Sequence, residues 1–127
     1  MVLTRAQRRV NEATTDLYEA VIEDENGDAI AAASLTTLTL TLWDKLTGTV
    51  INSRNAQNVL NTNGVTVDAS GNLVWTMTPA DNALTGTTLT NGQIEEHLAE
   101  FIWTWAAGVK KGNHQVQIDV LALDKVS

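Results

Sequence analysis

The sequence predicts an all-β fold in which two antiparallel sheets pack face to face, built from about seven strands. Three observations predict it. Apolar residues recur with a period of two in several separate runs, as in Leu38, Leu40 and Leu42 alternating with Thr37, Thr39 and Thr41. Turn signals such as Asn26-Gly27, Asn63-Gly64 and Asp68-Ala69-Ser70-Gly71 separate those runs. No stretch holds a 3.6-residue period long enough for a core helix. At 127 residues the chain is one domain's worth and long enough to bury a core of its own.

The elements follow in order. Residues 4–15 (TRAQRRVNEATT) read as one or two helical turns with Thr4 as N-cap. A helix that short is marginal in water. The expected organisation is therefore a basic arm, residues 1–16, that orders only on a partner, attached to a β-sandwich over 17–127. A frayed terminus is the plainer alternative. From Leu17, Tyr18, Ala20 and Ile22 alternate with Glu19, Val21 and Glu23 as a half-buried strand ending at the Asp24–Asp28 turn. The Leu/Thr strand runs to Trp43, Asp44–Gly48 reverses it, and Thr49–Asn52 returns as a hairpin partner. Residues 52–64 are Asn-rich and read as a loop or ragged edge strand. Val65–Val67 is a short strand, and Leu73, Trp75 and Met77 face inward on the next one. Pro79 stops that strand, and 79–83 reads as one helical turn capped by Thr78. Residues 85–93 read as a surface loop.

The last third reads as a long hairpin. His97, Ala99, Phe101, Trp103 and Trp105 share one face of its first strand, and Val116, Ile118 and Val120 one face of its second. Glu95 to Glu100 tolerate a helix, but Phe-Ile-Trp-Thr-Trp is strongly strand-forming.

Charge divides the chain unevenly. Residues 1–10 hold Arg5, Arg8 and Arg9 and no acid, whereas the remainder holds 5 cations against 15 acids, for a net charge of -7 overall. An acidic body of this kind argues against a nucleic-acid partner, because phosphate binding needs clustered cations. No apolar run approaches the roughly 20 residues that span a bilayer, which argues against a membrane partner. No apolar signal-peptide core follows the N-terminal cations. Cys is absent, which excludes disulfides, thiolate metal sites and Cys nucleophiles, and fits a reducing compartment.

Chemistry-bearing motifs are sparse. His97 and His114 are the only histidines, in neither a His-x-x-x-His nor a His-Glu-x-x-His spacing. On a strand Glu96 points away from Glu95 and His97, so no metal site is expected. The two histidines are expected near each other at one end of the sandwich. The acidic stretch 23–28 lacks EF-hand spacing and reads as a solvated hairpin turn. No Gly-x-Ser-x-Gly elbow, dinucleotide fingerprint or phosphate loop occurs, so neither an enzyme nor a cofactor is expected. Trp43, Trp75, Trp103 and Trp105 are many for this length. Core packing accounts for most of them, and a sugar-stacking platform is the functional alternative. Trp43 follows Leu42 and so points away from the leucine face, which makes it the tryptophan expected at a protein interface.

Two stretches, YEAVIEDENGDAIAAASLTTLTLTLWDKLTGTVINSRN and EEHLAEFIWTWAAGVKKGNHQVQIDVLALDKV, resemble the small immunoglobulin-like domains of tailed-bacteriophage structural proteins. The resemblance covers about residues 17–126 and rests on strand pattern and turn placement. It implies an immunoglobulin-like sandwich with no catalytic residues to transfer. It further implies a virion component, assembled in the host cytoplasm, that decorates the capsid or serves as a tail, baseplate or fibre adaptor. The expected partners are other virion proteins such as the major capsid, portal or tail proteins, with the chain itself in many copies. Arg5, Arg8, Arg9 and Trp43 are the expected partner-binding residues, the arginines steering the domain onto an acidic patch. Removing residues 1–10 is expected to spare the fold. A carbohydrate-binding module is the alternative of a different class.

Overall fold

The computed structural model describes residues 6–86 and 89–123. Among these residues the fold is all-β, with eight strands in two sheets and no α-helix. The strands are β1 (Ala6–Asn11), β2 (Asp16–Val21), β3 (Leu35–Asp44), β4 (Gln57–Asn58), β5 (Val65–Val67), β6 (Asn72–Met77), β7 (Ile94–Trp105) and β8 (Lys110–Leu121). A single 3-10 turn, Ala32–Ser34, leads into β3. The larger sheet has the order β1-β8-β7-β3-β4, and the smaller β2-β6-β5.

Alternation places the core between the sheets. Leu38, Leu40 and Leu42 are each 0% exposed, and the threonines between them face outward. Opposite them Leu73, Trp75 and Met77 fill the inner face of the smaller sheet. Trp75 meets Phe101 of β7 edge-on, with ring centroids 5.6 Å apart. β7 and β8 pair over their full length, from Ile94 opposite Leu121 to Trp105 opposite Lys110.

One device closes three of the turns. Asp24, Asp44 and Asp68 each turn a carboxylate back onto backbone N–H groups two residues ahead. Asp24 and Asp68 also accept from the residue four ahead. Gly71 serves a further purpose, because a Cβ there would lie 2.9 Å from the Ile30 carbonyl oxygen.

Several expectations are corrected. Residues 6–11 form no helical turn. They are strand β1, which runs parallel to β8 from Ala6 opposite Val116 to Asn11 opposite Leu121. The larger sheet is therefore mixed rather than antiparallel. The free edge of β8 supplies backbone partners that a polar hexapeptide does not advertise in its sequence. Val10, 5% exposed, joins the core, and Ala13, with its φ of 54°, helps turn the chain from one sheet into the other. Removing residues 1–10 thus deletes an edge strand. Thr4 and Arg5 lie outside the described residues. Thr49–Asn52 makes only an isolated bridge between Val50 and Trp43, and the paired edge strand is the short β4. Residues 78–82 form hydrogen-bonded turns rather than a helical turn, and the Thr78 hydroxyl donates to Asp81 instead of capping.

Asp81 explains that turn. It is 1% exposed and accepts from Arg54 Nε at 2.5 Å, Arg54 Nη2 at 3.1 Å, Asn52 Nδ2 at 2.9 Å and the Thr78 N–H at 2.9 Å. Burial pushes its carboxyl up, but the hydrogen bonds from Arg54, Asn52 and Thr78, with the Arg54 charge, hold it below the ordinary range. The Arg54 guanidinium also sits 5.8 Å over the Trp75 ring, tying the 52–57 segment to the core.

Candidate functional site

The outer face of the larger sheet carries no second layer among the described residues. Register lays its side chains out in rows. One row runs Gln7, Gln117, Leu98, Trp43 and Val50, and the next runs Arg9, Asp119 and Glu96. Lys45 Nζ reaches Glu96 at 3.0 Å at the end of that second row. Trp43 is half-buried on this face, as its parity with the threonines requires, and it abuts Leu98, which is 7% exposed. Thr41, Glu100 and Gln115 form the adjoining polar row, and beyond it Thr39 stands beside Ile102.

The expected site residues do not form one patch. Arg9 shares the outer face with Trp43 three strands away, about 14 Å at the usual strand spacing. Arg8 points the other way, because neighbours on a strand alternate. It grips Asp16 through two bonds of 2.7 and 2.8 Å, linking β1 to β2. The Asp16 hydrogen bond raises the Arg8 pKa, and the same bond lowers that of Asp16. The Arg8 charge is thus paired with Asp16 at the surface, with its side chain 45% exposed.

At the Ile94 end of the β7–β8 hairpin lies a buried polar cluster of which sequence reasoning placed only Glu95 and His97 on one face, without Asp44 or Thr85. His97 is 0% exposed, and its Nε2 meets Glu95 Oε1 at 2.5 Å. Glu95 also accepts from the N–H groups of Thr85 at 2.8 Å and Gly86 at 2.9 Å. Asp44, in register with His97, accepts the Thr85 hydroxyl at 2.6 Å and the Leu46 N–H at 2.8 Å. Burial raises both carboxyl pKa values, but these hydrogen bonds and the nearby imidazole leave Asp44 and Glu95 below the ordinary range. The cluster clasps the 84–86 segment to the sheet end. Its signal was available in parity, since Asp44 continues the inward series Leu38, Leu40, Leu42, and Glu95 continues His97 and Ala99. The Thr85 hydroxyl bonds Asp44 rather than the imidazole, so no nucleophile–base pair is formed. Glu96 faces outward, and among the described residues no group of three His, Asp or Glu is placed to hold a metal ion.

The second histidine is elsewhere. His114 is in register with Phe101, whereas His97 is in register with Ile118, so the two do not adjoin. His114 stacks on Tyr18 with ring centroids 5.8 Å apart and planes 17° apart, and the Tyr18 hydroxyl bonds its Nε2. Burial lowers the His114 pKa and raises that of Tyr18. With Trp103 and Trp105 these rings line a groove of about 700 Å³ along the open side between the sheets.

What the fold defines is a small two-sheet all-β domain. No family model, curated protein or solved structure matches the chain.

Proposed function

We propose that this chain is a non-catalytic structural module of tailed-bacteriophage virions, immunoglobulin-like in topology, that decorates the capsid by adhesion. Its strand order supports the immunoglobulin-like reading. The larger sheet contains β8-β7-β3-β4 and the smaller is β2-β6-β5, which parallels the GFCC′ and BED sheets of variable-type immunoglobulin domains. It departs from antibody domains in having no cysteines to bridge the sheets, and its fully buried Trp75 is on β6.

Trp43 on the uncovered outer face carries the adhesive reading. A half-buried indole beside Leu98, ringed by Thr and Gln, is the pattern of an interface anchor with a polar rim. The partner is another virion protein, bound by many copies of this chain in the assembled particle. Arg9, on the same face, supplies the cation for steering; Arg8 contributes through the fold, by holding β1 to β2. The test is co-sedimentation of the purified chain with isolated phage heads and, separately, isolated tails. Binding to heads, weakened at least tenfold in Trp43→Ala and about threefold in Arg9→Ala, is the expected result. Binding confined to tails moves the chain to the adaptor alternative, and undiminished binding by Trp43→Ala removes this face from the reading.

A further inference from the structure

The aromatic groove lies away from the Trp43 face and is not used by the adhesive reading. Among the described residues β1 pairs with Val116–Leu121, and the Lys111–His114 stretch of β8 borders a trough facing β2. Three contacts hold its aromatic walls in place. Gly112 stands opposite Trp103, and a Cβ there would lie 2.7 Å from the indole, so only glycine lets the ring lie flat on β8. The Trp103 indole N–H then donates to the Glu23 carbonyl at 3.2 Å. Tyr18 is fixed by its stack and hydrogen bond with His114. Trp105, half-buried at the end of β7, stands beside these rings in the same groove.

We propose that this groove binds a neutral pyranose oligosaccharide, with a sugar ring stacked on Trp105 and its hydroxyls bonded by Glu19 and Asn113. The volume of about 700 Å³ is in the range of small-ligand sites, and the trough is open along its length, which suits a chain of rings. Pre-fixed aromatic walls lower the ordering cost of binding. The rim supplies carboxylate acceptors in Glu19 and Glu23 and the amide of Asn113, whose nitrogen lies 3.5 Å from Glu100 and whose oxygen can accept from a hydroxyl. Glu19, Glu23, Asp24 and Glu25 outnumber the lysines there, so an anionic sugar or nucleotide is repelled. The same excess of acid draws a cationic ligand, offset only in part by Lys111 and by the pairing of Glu25 with Lys110 at 2.7 Å, so a cation is the competing occupant.

The experiment is an NMR titration of the full-length chain, following the indole N–H resonances. The probes are cellohexaose, maltohexaose and chitohexaose, with hexalysine as the cationic competitor. The expected result is a saturable shift of the Trp103 and Trp105 signals with at least one sugar, with a Kd of about 1 mM or tighter. Trp105→Ala should weaken it at least tenfold and Trp43→Ala should leave it unchanged. Should Trp105→Ala fail to fold, Asn113→Ala and Glu19→Gln serve in its place and should each weaken binding at least threefold. Absence of a saturable shift with all three sugars to about 10 mM overturns the proposal. So does a shift confined to Trp43, or binding of hexalysine alone. Because particle binding is read at Trp43, either proposal can fail without the other.

Discussion

The two ends of the β7–β8 hairpin have the same construction and different fates. At one end the inward residues Glu95 and His97 are sealed, 8% and 0% exposed. At the other the half-buried inward residues Trp105 and His114 border an open groove, with Trp103, 6% exposed, at its base. Alternation is the same at both. The difference comes from a third element. The Thr85–Gly86 segment brings two N–H groups and a hydroxyl over the acidic end, and those donors make burial of two carboxylates tolerable. Facing the aromatic end, among the described residues, is the edge of β2, and the trough between them is open. Inward polar residues thus become structural where a loop delivers donors, and Trp105 and His114 stay partly accessible where none of the described loops crosses.

The largest expected effect breaks the sealed end. Glu95→Ala strands His97 and the two N–H groups, and should cost about 3–5 kcal/mol in urea unfolding. A loss under about 1 kcal/mol would mean that the clasp does not hold the segment. Next, Gly112→Ala should cost about 1–3 kcal/mol, because Trp103 must leave its place on β8. Its near-ultraviolet circular dichroism should change, while hydrogen exchange at Thr85 and Gly86 stays slow.

Acid sharpens the comparison by separating the two ends on the pH axis. His114 has a folded pKa below its ordinary 6.5, so its contribution is complete above that value and is lost as pH falls through the folded one. Asp44 and Glu95 are also depressed, from ordinary values of 3.8 and 4.5, so theirs is complete above those values and is lost only at lower pH. Stability should therefore fall in two stages, the aromatic end first. His114→Gln should abolish the stage that begins near 6.5 and keep the acidic one. A single acidic stage in the unmodified chain would contradict this order. The smallest effect is that of Trp43→Ala, about 1 kcal/mol or less, since the outer face belongs to neither end. A larger loss would show that Trp43 supports the fold through Leu98.

Much of this fold was legible in the sequence. The runs at Leu38–Leu42, Leu73–Met77 and Ala99–Trp103 settle into the inner faces that their period of two demands, and Trp43 lies outward for the same reason. The Asp-headed turns were legible because a short carboxylate beside free N–H groups acts locally. β1 was not legible. Its residues AQRRVN carry too little apolar pattern, and the partner that makes them a strand lies more than a hundred residues away in β8. The pairing of Arg54 with Asp81 was hidden likewise, since nothing in either segment names the other.

By itself the sequence determined which residues turn inward and where the chain reverses, because alternation and turn chemistry act within a few residues. Only the tertiary structure decided which strands became neighbours, which buried charges met a partner, and which end of the long hairpin stayed open. Those outcomes depend on backbone groups and loops arriving from distant parts of the chain, and their free energy exists only once the two sheets have closed on each other.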